Sequence, residues 1–413
     1  MPHYVELDLS QKTTAICVVD AQGKRLWRGV CATDPGPISA RISQHAGVDA
    51  KVGIETGSMT PWLVHGLRAA GLDVACLDAR RVKAALQMQL NKTDENDAEG
   101  LAQIMRTGWY RAVHVKSLDA HRARALLGAR AQLVGMTTRL SNMIRGVLKT
   151  FGLLPGAGRG LRFDRKVEAL LEGAPEIALV VRPLLTTWRQ LRQQIAVFDK
   201  AVLQQVRADP ICRLLMTVPG IGALSSLMYV STVENPSRFS RSRAVGAHLG
   251  LTPRRYQSGE TDRSGHISRC GDGLARTLMY EAATVILHRV KRSLPLKDWA
   301  EAIERRSGSG KARGSLGAQT VGHPAQCLAI WRAIPLGRAG HGSVTHQPRQ
   351  ILQHASPQGE GAGNCAAGRW ARDQRKPVVD LAMPVLRTGP DVAAARADRE
   401  ENHDPGGRCR RRS

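Results

Sequence analysis

The chain has 413 residues, of which 42% are hydrophobic and only 4% aromatic, and it carries 60 Lys and Arg against 35 Asp and Glu, a formal charge of +25. That length accommodates two or three domains with separate cores, and the scarcity of aromatics points to aliphatic cores with few stacking platforms. No stretch reaches the roughly 18–20 apolar residues of a membrane span, and the opening "MPHYVELDLS" alternates like a strand and does not resemble a signal peptide, so a cytoplasmic protein with no membrane association is expected.

The charge is unevenly distributed. Residues 1–120 hold 14 Lys and Arg against 13 Asp and Glu, residues 121–313 hold 32 against 14, and residues 314–413 hold 14 against 8. A near-neutral first region followed by a basic one suits a protein that grips a phosphate backbone with one part and acts on it with another. The eight cysteines, at 17, 31, 76, 212, 270, 327, 365 and 409, include no C-x-x-C pair; buried thiols are expected, with no zinc ribbon or disulfide framework.

In chain order, "HYVELDL", "TTAICVVD" and "KRLWRGV" read as three strands of a meander. "ISARISQHAG" predicts a helix, "AKVGIE" a buried strand ending at Glu55, "TPWLVHGLRAAG" a helix and "LDVACLD" a further buried strand. Antiparallel strands followed by β-α-β-α predict a mixed sheet with helices against it, an α/β domain over residues 1–116.

Residues 117–208 read as helical. Leu126, Leu133, Leu140 and Val147 recur every seven residues, with Ala129, Met136 and Met143 three places after the first three, as in a coiled-coil seam. After "LLPGAGRG", a second seam steps through Leu184, Trp188, Leu191, Ile195, Phe198 and Val202, so an antiparallel hairpin or a dimerisation arm is predicted, the plainer alternative being two helices packed on their own domain. Residues 209–313 form a mainly α unit in which "LLMTVPGIGALSSLMYV" has the form of a helix-hairpin-helix. Gly220 and Gly222 in such a turn let backbone amides approach a phosphate. Residues 314–413 contain 13 Arg but one Lys, are rich in Gly, Pro and Ala, and lack periodicity; a GC-biased codon usage or a shifted reading frame near Arg313 would each produce this, and a disordered, low-order tail is expected.

"NKTDENDAEG" collects Asp94, Glu95, Asp97 and Glu99. In a helix beginning at Asp94, Asp94 and Asp97 share a face while Glu95 and Glu99 face water. Acids in a first helical turn also offset the helix dipole with no further role. Asp8, inside the first strand, and Glu55, ending a buried one, are costlier placements for a carboxylate. Four such carboxylates can hold two Mg²⁺ ions about 3.5–4 Å apart and clamp a phosphodiester displacement.

The segments "ELDLSQKTTAICVVD", "GIETGSMTPWLVHGL", "NKTDENDAEGLA", "RAQLVGMTTRLSNMIRGVLKTFG", "VPGIGALSS" and "RFSRSRAVGAHLGLTPRRYQSGETDRSGHISRCGDGLARTLMYEAA", in order over about residues 4–290, resemble those of DEDD-type insertion-sequence transposases of the IS110 family. The resemblance implies an RNase-H-like (RuvC-like) domain followed by a C-terminal transposase domain. It implies that Asp8, Glu55, Asp94 and Asp97 are a metal-binding tetrad and that Ser258 is a nucleophile transiently linked to DNA. Arg254, Arg255, Arg263 and Arg269 around Ser258 suit a scissile phosphate, although from the residues alone Ser258 reads as a turn residue beside Gly259. The family further implies a homodimer or homotetramer, DNA element ends and target as substrates, a structured guide RNA, and association with the nucleoid. Where the family more usually begins Gly-Ile-Asp, this chain has Glu6-Leu7-Asp8, and past Arg313 it departs from the helical segment that normally closes the second domain. A Piv-type DNA invertase shares these motifs; a decayed copy that binds nucleic acid without turnover and a junction resolvase without a nucleophilic serine are the remaining alternatives.

Overall fold

A computed structural model describes residues 2–47, 49–86, 94–291 and 293–322; the side chains of residues 84–86, 94–98, 242–243, 319 and 321–322 lie outside the description. These residues fall into two compact units, one of residues 2–134 with 189–322 and one of Gly135–Trp188.

In the first unit, β1 (Tyr4–Leu9), β2 (Thr13–Val19) and β3 (Arg25–Ala32) form the predicted meander. Then follow α1 (Pro35–His45), β4 (Lys51–Glu55), α2 (Thr60–Ala69), β5 (Asp73–Leu77), α3 (Ala79–Leu86) and α4 (Asp94–Thr107). The sheet order is β3-β2-β1-β4-β5, with β4 parallel to β1 and β5 parallel to β4. Alternation decides which residues face which layer. Val5, Leu7, Ile16 and Val18 turn to one side and pack with Ile38 and Ile42 of α1 and Leu63, Val64 and Leu67 of α2, all fully buried and each contributing about 1.5–3 kcal/mol. Asp34 starts α1 by accepting the Gly36 amide at 3.0 Å, with Pro35 preset for the first turn.

The other sheet face is covered by α4, whose Leu101, Ala102 and Met105 are buried against Cys17, Val19 and Leu77. Polar contacts tie it to the β2–β3 hairpin: Gln103 donates to the Gly23 carbonyl at 2.7 Å, and Arg25 pairs with Glu99 at 2.6 Å. Glu99 is therefore ion-paired instead of merely solvated as predicted, because the β2–β3 turn brings Arg25 alongside it.

Next come α5 (Leu118–Thr150), α6 (Leu161–Glu172) and α7 (Pro175–Ala208). Within the second unit Ile144, Leu148, Phe163, Val167, Val181, Leu185 and Trp188 form the core, and the Trp188 indole donates to Ser141 Oγ at 2.9 Å. Leu126, Leu133, Leu140 and Val147 are half-buried, whereas Met136 and Met143 stay 46% and 56% exposed. The fully buried positions are displaced by one residue at each end, to Leu127 and Leu148, because globular neighbours cover those ends.

The remaining elements of the first unit are α8 (Pro210–Leu215), α9 (Ala223–Val233), α10 (Ser242–His248), β6 (Pro253–Ser258), β7 (Thr261–Ile267), α11 (Gly273–Arg289), α12 (Pro295–Ser307) and α13 (Ser309–Gly322). Their core draws Leu127, Val202 and Val206 of the long helices together with Leu227, Met228, Val233, Leu278 and Met279. The expectation of low order from residue 314 fails for residues 314–322. Ala312, Leu316 and Thr320, spaced by four, are buried, and Ala312 and Leu316 join Ala283, Ile286 and Leu287 of α11, so the chain past Arg313 still supplies a packed helix. The rest of the predicted tail, 323–413, lies outside the described residues. Of the five described cysteines, all free, Cys17, Cys76 and Cys212 are buried as expected, while Cys270 is exposed. No helix among the described residues is long and apolar enough to cross a membrane.

Candidate active site and nucleic-acid interface

Asp8 and Glu55 come together through strand register. β1 and β4 run parallel with Leu7 beside Ile54, so Asp8 and Glu55 are the next positions on the two strands, at their C-terminal ends. Both are half-buried. Such an edge is where open α/β sheets place their ligands. Thr60 fixes the exit from β4: its hydroxyl donates to the Glu55 carbonyl at 2.6 Å and accepts the Gly57 amide at 2.8 Å. Asp94 and Asp97 occupy the first turn of α4, seven and four residues before the sheet-packed Leu101, which sets them one to two turns beyond it along the helix. Their side chains lie outside the described residues.

A fifth carboxylate, absent from the sequence-based set, completes this picture. Glu6 is fully buried, and neither of its carboxylate oxygens meets a hydrogen-bond partner in good geometry; the Leu7 amide beside it offsets the burial only slightly. Burial, then Glu55, then Asp8 push its carboxyl well above the ordinary 4.5. Space for it exists because the neighbouring β4 residue is Gly53: a Cβ there would stand 2.0 Å from Glu6 Oε2. The two-residue alternation that aims Asp8 at α4 also aims Glu6 there, and that spacing could have flagged it.

Hard oxygen donors of this kind suit a small divalent cation. Among the described residues no three His, Cys, Asp or Glu side chains stand together closely enough to hold a metal ion.

The predicted nucleic-acid contacts sit elsewhere in this unit. Arg254, Arg255, Ser258 and Arg263 lie on the β6–β7 hairpin, whose side chains are exposed almost throughout, and Arg269 follows it, exposed, with a positive φ of 54°. Ser258 ends β6 opposite Thr261, next to Gly259 at φ 54°, in a two-residue turn. The four arginines are not equivalent. Arg255 donates to both Asp262 oxygens, at 2.8 and 2.5 Å, and holds that carboxyl below its usual range, while Arg254 reaches the Ser268 carbonyl at 3.2 Å. Gly220 (φ 86°) turns inward, where a Cβ would meet the Ala282 carbonyl oxygen at 2.6 Å; Gly222, the N-cap of α9, has open space around its Cα, and its amide donates to Ser225 Oγ at 3.2 Å.

A polar joint connects the end of the α/β region to these helices. Glu234, at the C-terminus of α9 with φ 58°, accepts the Ser117 amide at 2.8 Å and faces His114 Nε2 at 2.9 Å. Arg124 of α5 pairs with Asp272 and donates to Thr232 Oγ1 at 3.1 Å. Lys116 beside them is half-buried, and desolvation, chiefly, together with Arg124 lowers its ammonium to about 8.

Comparison with known proteins places both regions. Residues 5–152 match a transposase family model for the DEDD type of IS110, and residues 212–297 match the Transposase IS116/IS110/IS902 family. The chain is 25% identical over 319 residues to the transposase for insertion sequence element IS1111A of Coxiella burnetii, covering 74% of this chain and 84% of that one. It is 30% identical over 240 residues to a probable family 20 transposase of Pseudomonas aeruginosa, covering 56% of this chain and 69% of the relative. To the putative transposase y4pF/y4sB of Sinorhizobium fredii it is 31% identical over 224 residues, 52% of this chain and 57% of the relative. With a mixed sheet carrying paired carboxylates at its parallel edge, a helical second region and these matches in the same order, the chain belongs to the IS110 family of insertion-sequence transposases.

Proposed function

We propose that this transposase cuts and exchanges DNA strands in a Mg²⁺-dependent reaction that passes through a phosphoserine link at Ser258. The observation that carries the metal half is the adjacency of Asp8 and Glu55 at the ends of parallel strands beneath α4, whose first turn holds Asp94 and Asp97. These four carboxylates would hold two Mg²⁺ ions, which supply charge stabilisation at the attacking and leaving oxygens. Three antiparallel strands followed by two parallel ones support the RNase-H-like, RuvC-like reading of residues 1–116. The helical arm over 117–208 and the mainly α transposase domain over 209–313, extended here to Gly322, complete the proposed organisation.

Ser258 acts from an exposed hairpin tip, which a DNA strand can reach without rearrangement of a core. Its Oγ forms the bond to phosphorus as the bond from phosphorus to the departing strand oxygen breaks, and its proton leaves to solvent. Arg263, exposed two residues from Thr261, the cross-strand partner of Ser258, would neutralise the phosphate, with Arg269 exposed at the hairpin's base and Arg254 and Arg255 held by their own partners in the free protein. By family resemblance we further infer that element ends and target DNA are chosen through a structured guide RNA, that a dimer or tetramer brings the serine of one subunit to the carboxylates of another, and that the protein works at the nucleoid. The packed α13 favours an intact second domain over a decayed copy.

Cleavage of DNA carrying the element ends, assayed with guide RNA and Mg²⁺, tests the metal half. Asp8→Asn and Glu55→Gln should each slow cleavage by about 100-fold or more while leaving DNA binding in place. Near-normal cleavage by either variant would remove that carboxylate from the site.

A further inference from the structure

The β6–β7 hairpin has two faces of different character. Register pairs Tyr256 with Arg263 and Ser258 with Thr261, and strand alternation puts these four side chains on one face. Arg255, Gln257, Asp262 and Ser264 take the other. There Arg255 and Asp262 close a two-hydrogen-bond ion pair, so that face is locally neutral. The only carboxylate within the two strands is thus removed from the Tyr256 face, which keeps Arg263 as its charge. On this face Tyr256 is 65% exposed, in a chain with only five Tyr and four Phe.

A sheet of two strands with both faces in water has no core to justify a large exposed ring. The surroundings say what covers it: Arg263 directly across, Arg254 and Arg269 at the hairpin's base, and a region, 121–313, with 32 basic against 14 acidic residues. Positive charge interleaved with an open aromatic is the chemistry of a stacking platform for a nucleic-acid strand, where backbone phosphates meet arginine and a base meets the ring.

We propose that Tyr256 is a base-stacking residue whose ring takes an unpaired DNA base beside the phosphate that Ser258 attacks, with Arg263 on that same phosphate. Two residues along a strand span about 6.6 Å, the scale of one nucleotide step in an extended strand. The identity of the stacked nucleotide rests on the Ser258 reading; the stacking itself does not. The ring would hold the base out of its helix and so fix the adjoining phosphate over the serine, which makes Tyr256 a residue that positions substrate.

The test uses the full chain and a mixed-sequence single-stranded DNA containing 2-aminopurine, whose fluorescence stacking quenches, with affinity read by anisotropy at several salt concentrations. An RNA of the same sequence is run in parallel. Tyr256→Ala should weaken DNA binding about tenfold and abolish quenching without altering the salt slope, and Tyr256→Phe should restore both affinity and quenching. Arg263→Ala should instead reduce the salt slope by about one while quenching persists. Affinity within about twofold of wild type for Tyr256→Ala, a Phe variant as weak as the Ala variant, or an effect confined to the RNA overturns the proposal. With element-end DNA, guide RNA and Mg²⁺ supplied instead, a covalent adduct surviving in Ser258→Ala would reject the serine as nucleophile and leave the stacking result standing.

Discussion

Replacing Glu6 by Met should make the cation-free protein more stable and the cation-loaded protein comparatively worse off. Glu6 is fully buried beside Cys17, Met105 and Gly53, with neither oxygen hydrogen-bonded, and unpartnered buried polar groups of this kind cost about 1–3 kcal/mol. Methionine has similar length, brings no charge and packs against the Met105 thioether, so most of that cost should be recovered. The sign with pH follows from the raised carboxyl. The folded state keeps its proton after the unfolded chain has lost it near 4.5, so Glu6 removes stability progressively as pH rises from about 4.5 through its higher folded value. The gain on substitution should therefore be small at pH 4 and largest at pH 8. Urea unfolding in EDTA at both pH values measures it, and repetition in millimolar Mg²⁺ should raise the wild type's midpoint more than the variant's. A variant less stable than wild type at pH 8 in EDTA would refute the reasoning, because it would mean that Glu6 is compensated in the folded state.

Lys116→Met should raise stability by about 2 kcal/mol at pH 7, a figure already reduced for its partial exposure; because the folded ammonium is lowered to about 8 while the unfolded one stays near 10.5, the gain should shrink between those values and vanish above them, as thermal melts across that range would show. Gly220→Ala should destabilise by about 2–4 kcal/mol, from its positive φ and the contact with the Ala282 carbonyl, whereas Gly222→Ala should melt within about 0.5–1 kcal/mol of wild type; equal effects in denaturant titrations would remove the packing explanation for Gly220. Leu316→Ala should cost about 2–4 kcal/mol if α13 closes the second domain, and a silent substitution would show that residues past Arg313 are dispensable for folding.

Much of the fold was legible because hydrophobic periodicity was strong. The alternation of Val5 and Leu7 and of Ile16 and Val18 marked β1 and β2 within a residue of their ends, and the apolar run before Glu55 marked β4. In the long helices the repeat located the elements, but a heptad pattern cannot tell a partner helix from the globular cover that buries Leu127 and Leu148. The helix past Arg313 was missed since alanine and glycine give almost no periodic signal, and its burial depends on α11 lying alongside. At the candidate site, Asp8 and Glu55 were readable as costly acids in strands. Alternation puts Glu6 on the same face as Asp8, but that its carboxylate is fully buried there depends on Gly53 of the next strand, which the sequence does not pair with it. Likewise the pairing that sets Arg255 apart from Arg263 is a matter of hairpin register, invisible in the string "RRYQSGETDR".

The most direct measurement is the search for a covalent protein–DNA species formed with element-end DNA, guide RNA and Mg²⁺, digested and mapped by mass spectrometry. A nucleotide phosphate linked to the peptide containing Ser258, absent from Ser258→Ala and from Asp8→Asn, is the predicted result. Strand exchange at the wild-type rate by Ser258→Ala, or an adduct mapping to another residue, would contradict it.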